Sequence, residues 1–300
     1  MTFIATYPVN LYLKKTLFTF ILIILAGNSF AHNENYQSEF ERHGITESFI
    51  QELNGMGYYN LEDQQLIAFK IHGVNSLFIQ QLADLGYADL DANQLLAFKI
   101  HNVNDAYVSS INSIGYGQMD ANDLLAFRIH NIDRTFIEWY QSLRLTDQSA
   151  SKLLAFSIHG INDEFINVIH SLGFTQLDSG DYLAAKIHHI TTEFVSSMKG
   201  FGIAVNNLDE ALKLKIFKVQ RDDVEKIKRF QLFSSDANEI VALKILKLDD
   251  ELVEQVKSLD LNSYSLANFL EQRANFKTDY YRNNKMLLAF ERVMEKIQRL

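Results

Sequence analysis

The sequence repeats itself every 29 residues. A marker histidine recurs at this spacing six times, and two further steps reach a phenylalanine and a leucine: His43, His72, His101, His130, His159, His188, Phe217 and Leu246. Eight units follow one another from residue 43 to about residue 274 without an insertion or a deletion. A fixed period of this length is typical of chains built from stacked supersecondary units. The chain is therefore expected to fold as an array rather than around one central core.

Each unit predicts two short helices. The first helix is expected to start three residues after the marker, where most units carry a good N-cap residue: Thr46, Asn75, Asn104, Asp133, Asn162, Thr191, Gln220 and Asp249. Its apolar positions, such as Phe78, Ile79 and Leu82, have the spacing of one buried helix face. It is expected to end at a glycine in the left-handed conformation: Gly57, Gly86, Gly115, Gly173 and Gly202.

The second helix of each unit is predicted to end at the marker. Isoleucine is expected to be its last residue, followed by the marker, then by Gly73, Asn102, Asn131 or Gly160, and then by Val or Ile. This order is typical of a left-handed C-cap with its hydrophobic contact. A basic residue in the last turn is favourable beside the helix carbonyls: Lys70, Lys99, Arg128, Lys186, Lys215 and Lys244.

Composition agrees with an all-α fold. The only proline is Pro8 and the chain has no cysteine, so no helix breaker of this kind follows residue 8. Helices of about ten residues are marginal alone and need neighbouring units for stability. We therefore predict an α-solenoid of about eight helix-turn-helix repeats at residues 43–274. A half-repeat cap is expected at residues 32–42, and a capping helix at residues 275–300.

Residues 1–31 have the pattern of a cleavable signal peptide. Lys14 and Lys15 precede an apolar run from Thr16 to Ala26, and Ser29 and Ala31 are small residues at the expected cleavage site. The prediction is cleavage after Ala31 and a bacterial periplasmic or secreted protein with no membrane insertion after cleavage. An uncleaved membrane anchor is the alternative interpretation.

The net charge of the chain argues against nucleic acids as partners. The formal net charge is −9, and removal of residues 1–31 takes away two lysines and no acid, which makes it −11. Nucleic acids are polyanions, so a strongly acidic chain is not expected to bind them.

The units resemble a known bacterial repeat. The residues that carry the resemblance are His72-Gly73-Val74-Asn75 with Phe78-Ile79 and the run from Leu95 to Ile100. They are similar to the short helical repeats found C-terminal to the metallopeptidase domain of BlaR1-like proteins of the M56 family, and in related exported bacterial proteins. The similarity is good over residues 43–200 and weaker over 201–274. It implies a helical array beside signalling modules. Peptidase activity is not implied, because the chain lacks an H-E-x-x-H stretch.

Two motifs suggest chemistry but have structural explanations. A ladder of marker histidines could bind metal, but successive units are about 8–10 Å apart, too far to share one zinc with bonds of about 2 Å. Ser149-Ala150-Ser151-Lys152 matches the S-x-x-K pattern of penicillin-recognising enzymes, yet Ser149 occupies a helix N-cap position and no partner motif follows. No catalytic, cofactor-binding or metal-ligating residue is therefore predicted.

The expected function is a non-enzymatic scaffold for protein or peptide partners. The candidate contacts lie nine residues after the marker, where six of the eight units carry polar residues. Trp139 and Val168 are the two exceptions and could form an apolar patch. The same unit has Arg144 in place of the helix-ending glycine and Tyr140 in place of an aliphatic residue. Local packing of Trp139 against Tyr140 or against this altered loop is the alternative interpretation. A regulatory or sensory subunit of a membrane signalling system, and an enzyme of unrecognised type, remain alternative functions.

Overall fold

The computed structural model describes residues 36–117, 119–259, 263–274 and 285–300. The predicted signal peptide at residues 1–31, with its cleavage site at Ala31, lies outside these residues. Residues 32–35 of the predicted N-terminal cap and residues 275–284 of the predicted C-terminal cap also lie outside them.

The described residues are α-helical and contain no β-strand, which confirms the predicted all-α class. The first nine helices are α1 (Tyr36–His43), α2 (Glu47–Gly55), α3 (Asp63–His72), α4 (Ser76–Asp84), α5 (Ala92–Ile100), α6 (Asp105–Ile111), α7 (Ala121–Ile129), α8 (Arg134–Ser142) and α9 (Ala150–Ile158). The other nine are α10 (Asp163–Ser171), α11 (Ser179–Ile187), α12 (Thr192–Gly200), α13 (Leu208–Ile216), α14 (Arg221–Arg229), α15 (Ala237–Ile245), α16 (Asp250–Lys257), α17 (Ser263–Ala274) and α18 (Lys285–Gln298). A π-helical turn, Asn112–Tyr116, continues α6. Among the described residues, none of these helices has the length and apolarity needed to cross a bilayer.

The even-numbered helices from α2 to α16 begin at the predicted N-caps. The side chain of Asn75 accepts a hydrogen bond from the backbone N–H of Phe78 at 2.9 Å, and Asn104 and Asp133 make the same contact at 2.9 Å in the next two units. Each bond satisfies a backbone donor that the helix itself leaves unpaired. Phe78, Ile79 and Leu82 are buried, as their spacing predicts.

Seven of these helices, the even-numbered ones from α2 to α14, are followed by a residue with positive φ. All five predicted glycines have φ between 89° and 98°. Two units place another residue at this position: Arg144 has φ 51° and Gln231 has φ 57°. The left-handed turn is therefore kept where glycine is lost, because the neighbouring contacts hold the chain in that conformation.

The odd-numbered helices end as predicted in left-handed C-caps. The residue after the marker has positive φ in every unit, whether it is Gly44, Gly73, Asn102, Asn131, Gly160, His189, Lys218 or Lys247. The next residue closes the turn, as when the N–H of Val103 donates to the carbonyl of Phe98 at 2.8 Å. Val103 is also fully buried, which supplies the hydrophobic contact of this motif.

One second helix does not begin where the repeat predicts. The 29-residue step from Asp236, the N-cap of α15, predicts an N-cap at Ser265, but α17 begins at Ser263, so position 265 lies within the helix. Ser149 does precede α9, but its side chain makes no capping hydrogen bond.

The chain divides into two compact parts, which we name the N-terminal half (described residues 36–160) and the C-terminal half (described residues from 161 onward). In the N-terminal half, α1, α3, α5, α7 and α9 pack side by side in this order. Their buried phenylalanines Phe69, Phe98, Phe127 and Phe156 form the core together with Leu53, Leu82, Ile111 and Tyr140 of the even-numbered helices.

In the C-terminal half, α11 packs on α13, α13 on α15, and α15 on α18. Buried Glu239 of α15 accepts a hydrogen bond from Nε of Arg292 at 2.7 Å and also pairs with Lys296. These two cations lie on α18, whose apolar face, including Phe290 and Ile297, is buried. Ion pairs and apolar contacts thus both attach the last helix.

Candidate functional site

The marker histidines lie at helix ends. His101 and His130 are half-buried, and burial lowers the pKa of each imidazole below its ordinary value of 6.5. Their backbone carbonyls accept hydrogen bonds from the next unit: Nε of Arg128 donates to His101 at 3.1 Å, and Oγ of Ser157 donates to His130 at 2.8 Å. The marker residues therefore join successive units through their main chain.

Ser149 lies at the entrance of α9. Its hydroxyl is 3.2 Å from that of Ser151, and its backbone N–H donates to the carboxylate of Asp147 at 3.0 Å. Hydrogen bonds from Ser149 lower the pKa of Asp147. These contacts are those of a helix start.

A cation lies over an aromatic ring in most units, and the two residues are 21 positions apart. Nζ of Lys99, on α5, lies 4.4 Å from the centre of the Phe78 ring on α4. The equivalent pairs are Lys70 over Phe49 at 4.6 Å, Arg128 over Tyr107 at 4.8 Å, Lys186 over Phe165 at 4.6 Å and Lys215 over Phe194 at 4.5 Å. The sequence predicted these cations from the helix dipole alone. Their contact with the ring supplies an additional attraction to the negative face of the π system.

Three units replace this pair, and each replacement has a structural partner. In one, Asp223 stands at the ring position and pairs with Lys244 at 2.6 Å. In the last unit, Leu252 stands at the ring position, and Arg273 instead pairs with Asp249 at 3.2 Å. In the third, Ser157 stands at the cation position, and the Phe136 ring packs on Trp139 at 5.2 Å between centres. Trp139 thus occurs in the unit that lacks the cation.

Tyrosine hydroxyls connect each loop to the next. Tyr58 donates to the carbonyl of Leu90 at 2.6 Å, Tyr87 to that of Met119 at 2.9 Å, and Tyr116 to that of Gln148 at 3.0 Å. Donor and acceptor are 32 positions apart in each case. Burial raises the pKa of each of these hydroxyls, so the phenols keep their protons and remain donors.

The next unit has Leu145 at this position, and its Tyr140 makes a hydrogen bond within its own unit. Tyr140 is fully buried, its ring meets Phe156 edge-on at 4.9 Å, and its hydroxyl donates to the carbonyl of Asp147 at 3.0 Å. The hydroxyl of Tyr140 therefore attaches α8 to the loop that follows it, whereas the other three hydroxyls join successive units.

The two candidate contact residues are both half-buried. Trp139 lies on α8 of the N-terminal half, with its ring 5.2 Å from that of Phe136 between centres. Val168 lies on α10 of the C-terminal half. At the equivalent position, Glu52, Ser197 and Gln255 are exposed, whereas Gln81, Ser110 and Lys226 are half-buried.

A second apolar surface was missed by the sequence reasoning. The isoleucine that precedes each marker is not buried: Ile71 is 56% exposed, Ile158 38%, Ile187 48% and Ile216 44%. Regular recurrence of an apolar residue suggested only a helix end. Whether this isoleucine is exposed depends on which sides of its helix are covered by neighbouring helices, and the sequence of one unit does not determine this.

The described residues contain no group of three or more His, Cys, Asp or Glu side chains arranged to hold a metal ion. Comparisons of the chain with known protein families, with curated proteins and with solved structures found no significant match.

Proposed function

We propose that this chain is a non-enzymatic exported scaffold that binds a protein or peptide partner. In this proposal the chain is an α-solenoid of about eight 29-residue repeats at residues 43–274. Residues 32–42 cover its first repeat and residues 275–300 close its other end. The bacterial periplasm or the secreted fraction is its place of action after cleavage at Ala31, and its repeats resemble those that follow BlaR1-like metallopeptidase domains.

The observation that carries the proposal is the repetition of contacts: the tyrosine contacts join successive units, and the cation–ring pairs join the two helices of one unit. The same hydrogen bond from a tyrosine to a loop 32 residues further on occurs three times, and the same cation–ring pair occurs five times. Units that contact their sequence neighbours through equivalent residues are expected to stack in one direction and present an extended side-chain surface. Such a surface suits protein or peptide partners.

The residue types that could carry chemistry have structural roles in this proposal. The histidines end helices, and Ser149 begins one, so the proposal assigns them no substrate, cofactor or metal. Trp139 and Val168 are the proposed partner contacts, each considered within its own half of the chain. Half-buried tryptophan supports this assignment, because a partner can cover the remaining ring surface, and tryptophan is frequent among binding hot spots.

Site-specific photo-crosslinking in the native envelope tests the proposal. A photoreactive residue replaces Trp139 in one variant and Val168 in another, and the captured proteins are identified by mass spectrometry. A matched control places the same residue at Gln81, which is the half-buried equivalent of Trp139 two units earlier. We expect one partner to be captured at position 139 or 168 and not at position 81.

The outcomes separate the alternatives. Capture of a single membrane signalling protein would favour a regulatory subunit. Equal capture at all three positions, or none at any, would contradict the assignment of Trp139 and Val168. Because Trp139 is the only tryptophan, its fluorescence provides an independent readout. Addition of the purified partner should reduce quenching by acrylamide if the partner covers the ring.

A further inference from the structure

Each odd-numbered helix from α3 to α9 carries an isoleucine on its outward side, near its carboxyl end. We name the last helical isoleucines of α5, α7 and α9, together with Ile71 near the end of α3, the isoleucine row: Ile71, Ile100, Ile129 and Ile158. Each follows a buried core phenylalanine by two positions, which places it about 200° around the helix from that phenylalanine. Ile71 and Ile158 are exposed, and Ile100 and Ile129 are half-buried. An α-helix with apolar side chains on its core face and also on its outward face is expected to have a partner on both.

The row is continuous because α3 packs on α5, α5 on α7 and α7 on α9. Packed helices lie about 8–10 Å apart, so four isoleucines on successive helices extend over about 24–30 Å. An α-helix of about 18 residues has a length of about 27 Å. The row therefore has the length of one partner helix lying across the four helices.

The N-terminal half that carries the row is strongly acidic as a whole. Residues 36–160 contain fifteen Asp and Glu but only seven Lys and Arg. Five of these seven cations already contact a group of their own half: three lie over rings, and Arg42 and Arg134 pair with Glu39 and Glu138. Few cations are left to balance the excess of carboxylates.

Carboxylates lie at both ends of the central helices of the row. Asp91 and Asp120 precede α5 and α7, and Asp105 and Asp133 follow the carboxyl ends of the same two helices. Of these, Asp105 and Asp133 lie beside the row, because they follow Ile100 and Ile129 by five and four positions. An apolar row beside these carboxylates, in a half with a large excess of acid, complements a partner with an apolar face flanked by positive charge. The same field repels anionic membranes, nucleic acids and a second copy of this half.

We propose that the isoleucine row binds a cationic amphipathic α-helix of a partner protein. This inference rests on the proposed scaffold function and assigns it a second surface and a partner class. The partner helix would bury the four isoleucines under its apolar face and direct its lysines or arginines toward the bordering carboxylates.

Binding of three synthetic peptides to the purified full chain tests the inference. The first is an 18-residue peptide of leucine and lysine with all leucines on one helical face. The second has the same composition in scrambled order, and the third has glutamate in place of lysine. Fluorescence anisotropy gives each dissociation constant at low and at high salt. We expect the first peptide to bind at least tenfold more tightly than the other two.

Variants locate the binding surface. Ile71→Ser and Ile158→Ser should each weaken binding of the first peptide about tenfold, because each removes an apolar contact that the peptide buries. Leu77→Ser is the matched control, since Leu77 is 65% exposed, lies in the same half on α4 and is outside the row. Its binding should equal that of the unchanged chain. Thermal unfolding midpoints should agree among all four proteins, because these side chains face solvent.

Equal binding of the amphipathic and scrambled peptides would overturn the inference, since charge alone would then explain attraction. Equal loss in the Leu77 variant and the row variants would also overturn it, as would failure of the first peptide to bind. A partner captured by the crosslinking experiment while all three peptides fail would leave the scaffold function standing and reject this surface.

Discussion

At the residue scale, single positions with positive φ determine where the helices end. Glycine holds this conformation at five first-helix ends, whereas arginine and glutamine hold it at two others. Asparagine, histidine and lysine hold it after the markers. None of these substitutes is β-branched, which agrees with the high cost of positive φ for β-branched side chains.

Gly86→Val tests the left-handed turn. Gly86 has φ 93°, and valine is strained there, so the free energy of unfolding should fall by more than about 1 kcal/mol. Gly86→Asn is the control and should lose clearly less, because asparagine tolerates this region. Urea unfolding followed by circular dichroism measures both. Equal stability of the valine variant and the unchanged chain would show that this turn is not left-handed in solution.

His101 and His130 predict a dependence of stability on pH. Burial lowers both pKa values below 6.5, so the folded chain binds protons at these rings less readily than the unfolded chain. The stability that the neutral rings supply is fully present above pH 6.5 and is lost as the pH falls through the lower folded values. Changing both residues to glutamine should make the unfolding midpoint less sensitive to pH between about 7.5 and 5. Each single variant should give an intermediate slope, and an unchanged slope in the double variant would contradict the assignment.

At the element scale, a lysine or arginine at the end of one helix contacts a ring on the preceding helix. This contact connects the two helices on either side of a loop, for example α4 and α5 through Phe78 and Lys99. Where Asp223 replaces the ring, an ion pair with Lys244 performs the same connection. The connection is thus kept although its chemistry changes.

A double-mutant cycle measures the connection. Lys99→Met keeps the apolar stem of the side chain and removes its charge, and Phe78→Leu removes the ring. We expect the two changes to be non-additive by about 0.5–1 kcal/mol in the free energy of unfolding. Lys199→Met combined with Phe78→Leu is the control cycle, because Lys199 lies on α12 in the other half of the chain, and it should be additive. Additivity in the first cycle would show that the contact contributes no stability.

The sequence was sufficient for the elements but not for their outward surfaces. Cap residues such as Asn75 and glycines such as Gly86 act within a few positions of themselves, so a single unit contains the information that places the helix ends. The exposure of Ile71 depends on helices from other units, and the hydrogen bond of Tyr140 depends on how the loop at Asp147 folds back on α8. No periodic pattern distinguishes an isoleucine that faces a neighbouring helix from one that faces solvent.

At the scale of the whole molecule, the two halves differ in net charge. The N-terminal half is acidic, whereas residues 161–300 contain twenty-one acidic and nineteen basic side chains. In the C-terminal half, buried Glu239 of α15 also attaches the last helix, α18, through ion pairs with two of its cations. We expect cationic partners to prefer the N-terminal half, as the isoleucine row requires.

Export predicts a defined mature chain. If residues 1–31 are a cleaved signal peptide, intact-mass analysis of the protein recovered from its native envelope should show a chain that begins at His32. Ala31→Tyr should block processing, because a large side chain does not fit the small-residue cleavage position, and should leave the unprocessed mass. A native chain that retains residues 1–31 and sediments with membranes would instead support an uncleaved anchor.

The tyrosine contacts between loops restrict how the length of this chain can change during evolution. Removal of residues 73–101 would bring Tyr58 to the same distance in sequence from Met119 that now separates it from Leu90, so an equivalent bond could form across the new junction. Removal of one or two residues within a unit would instead change the spacing of the contacts that span the deletion, so that those donors no longer meet their acceptors. Duplication or loss of entire units therefore preserves folding, and the uninterrupted 29-residue spacing is the record expected of growth by whole-unit copying.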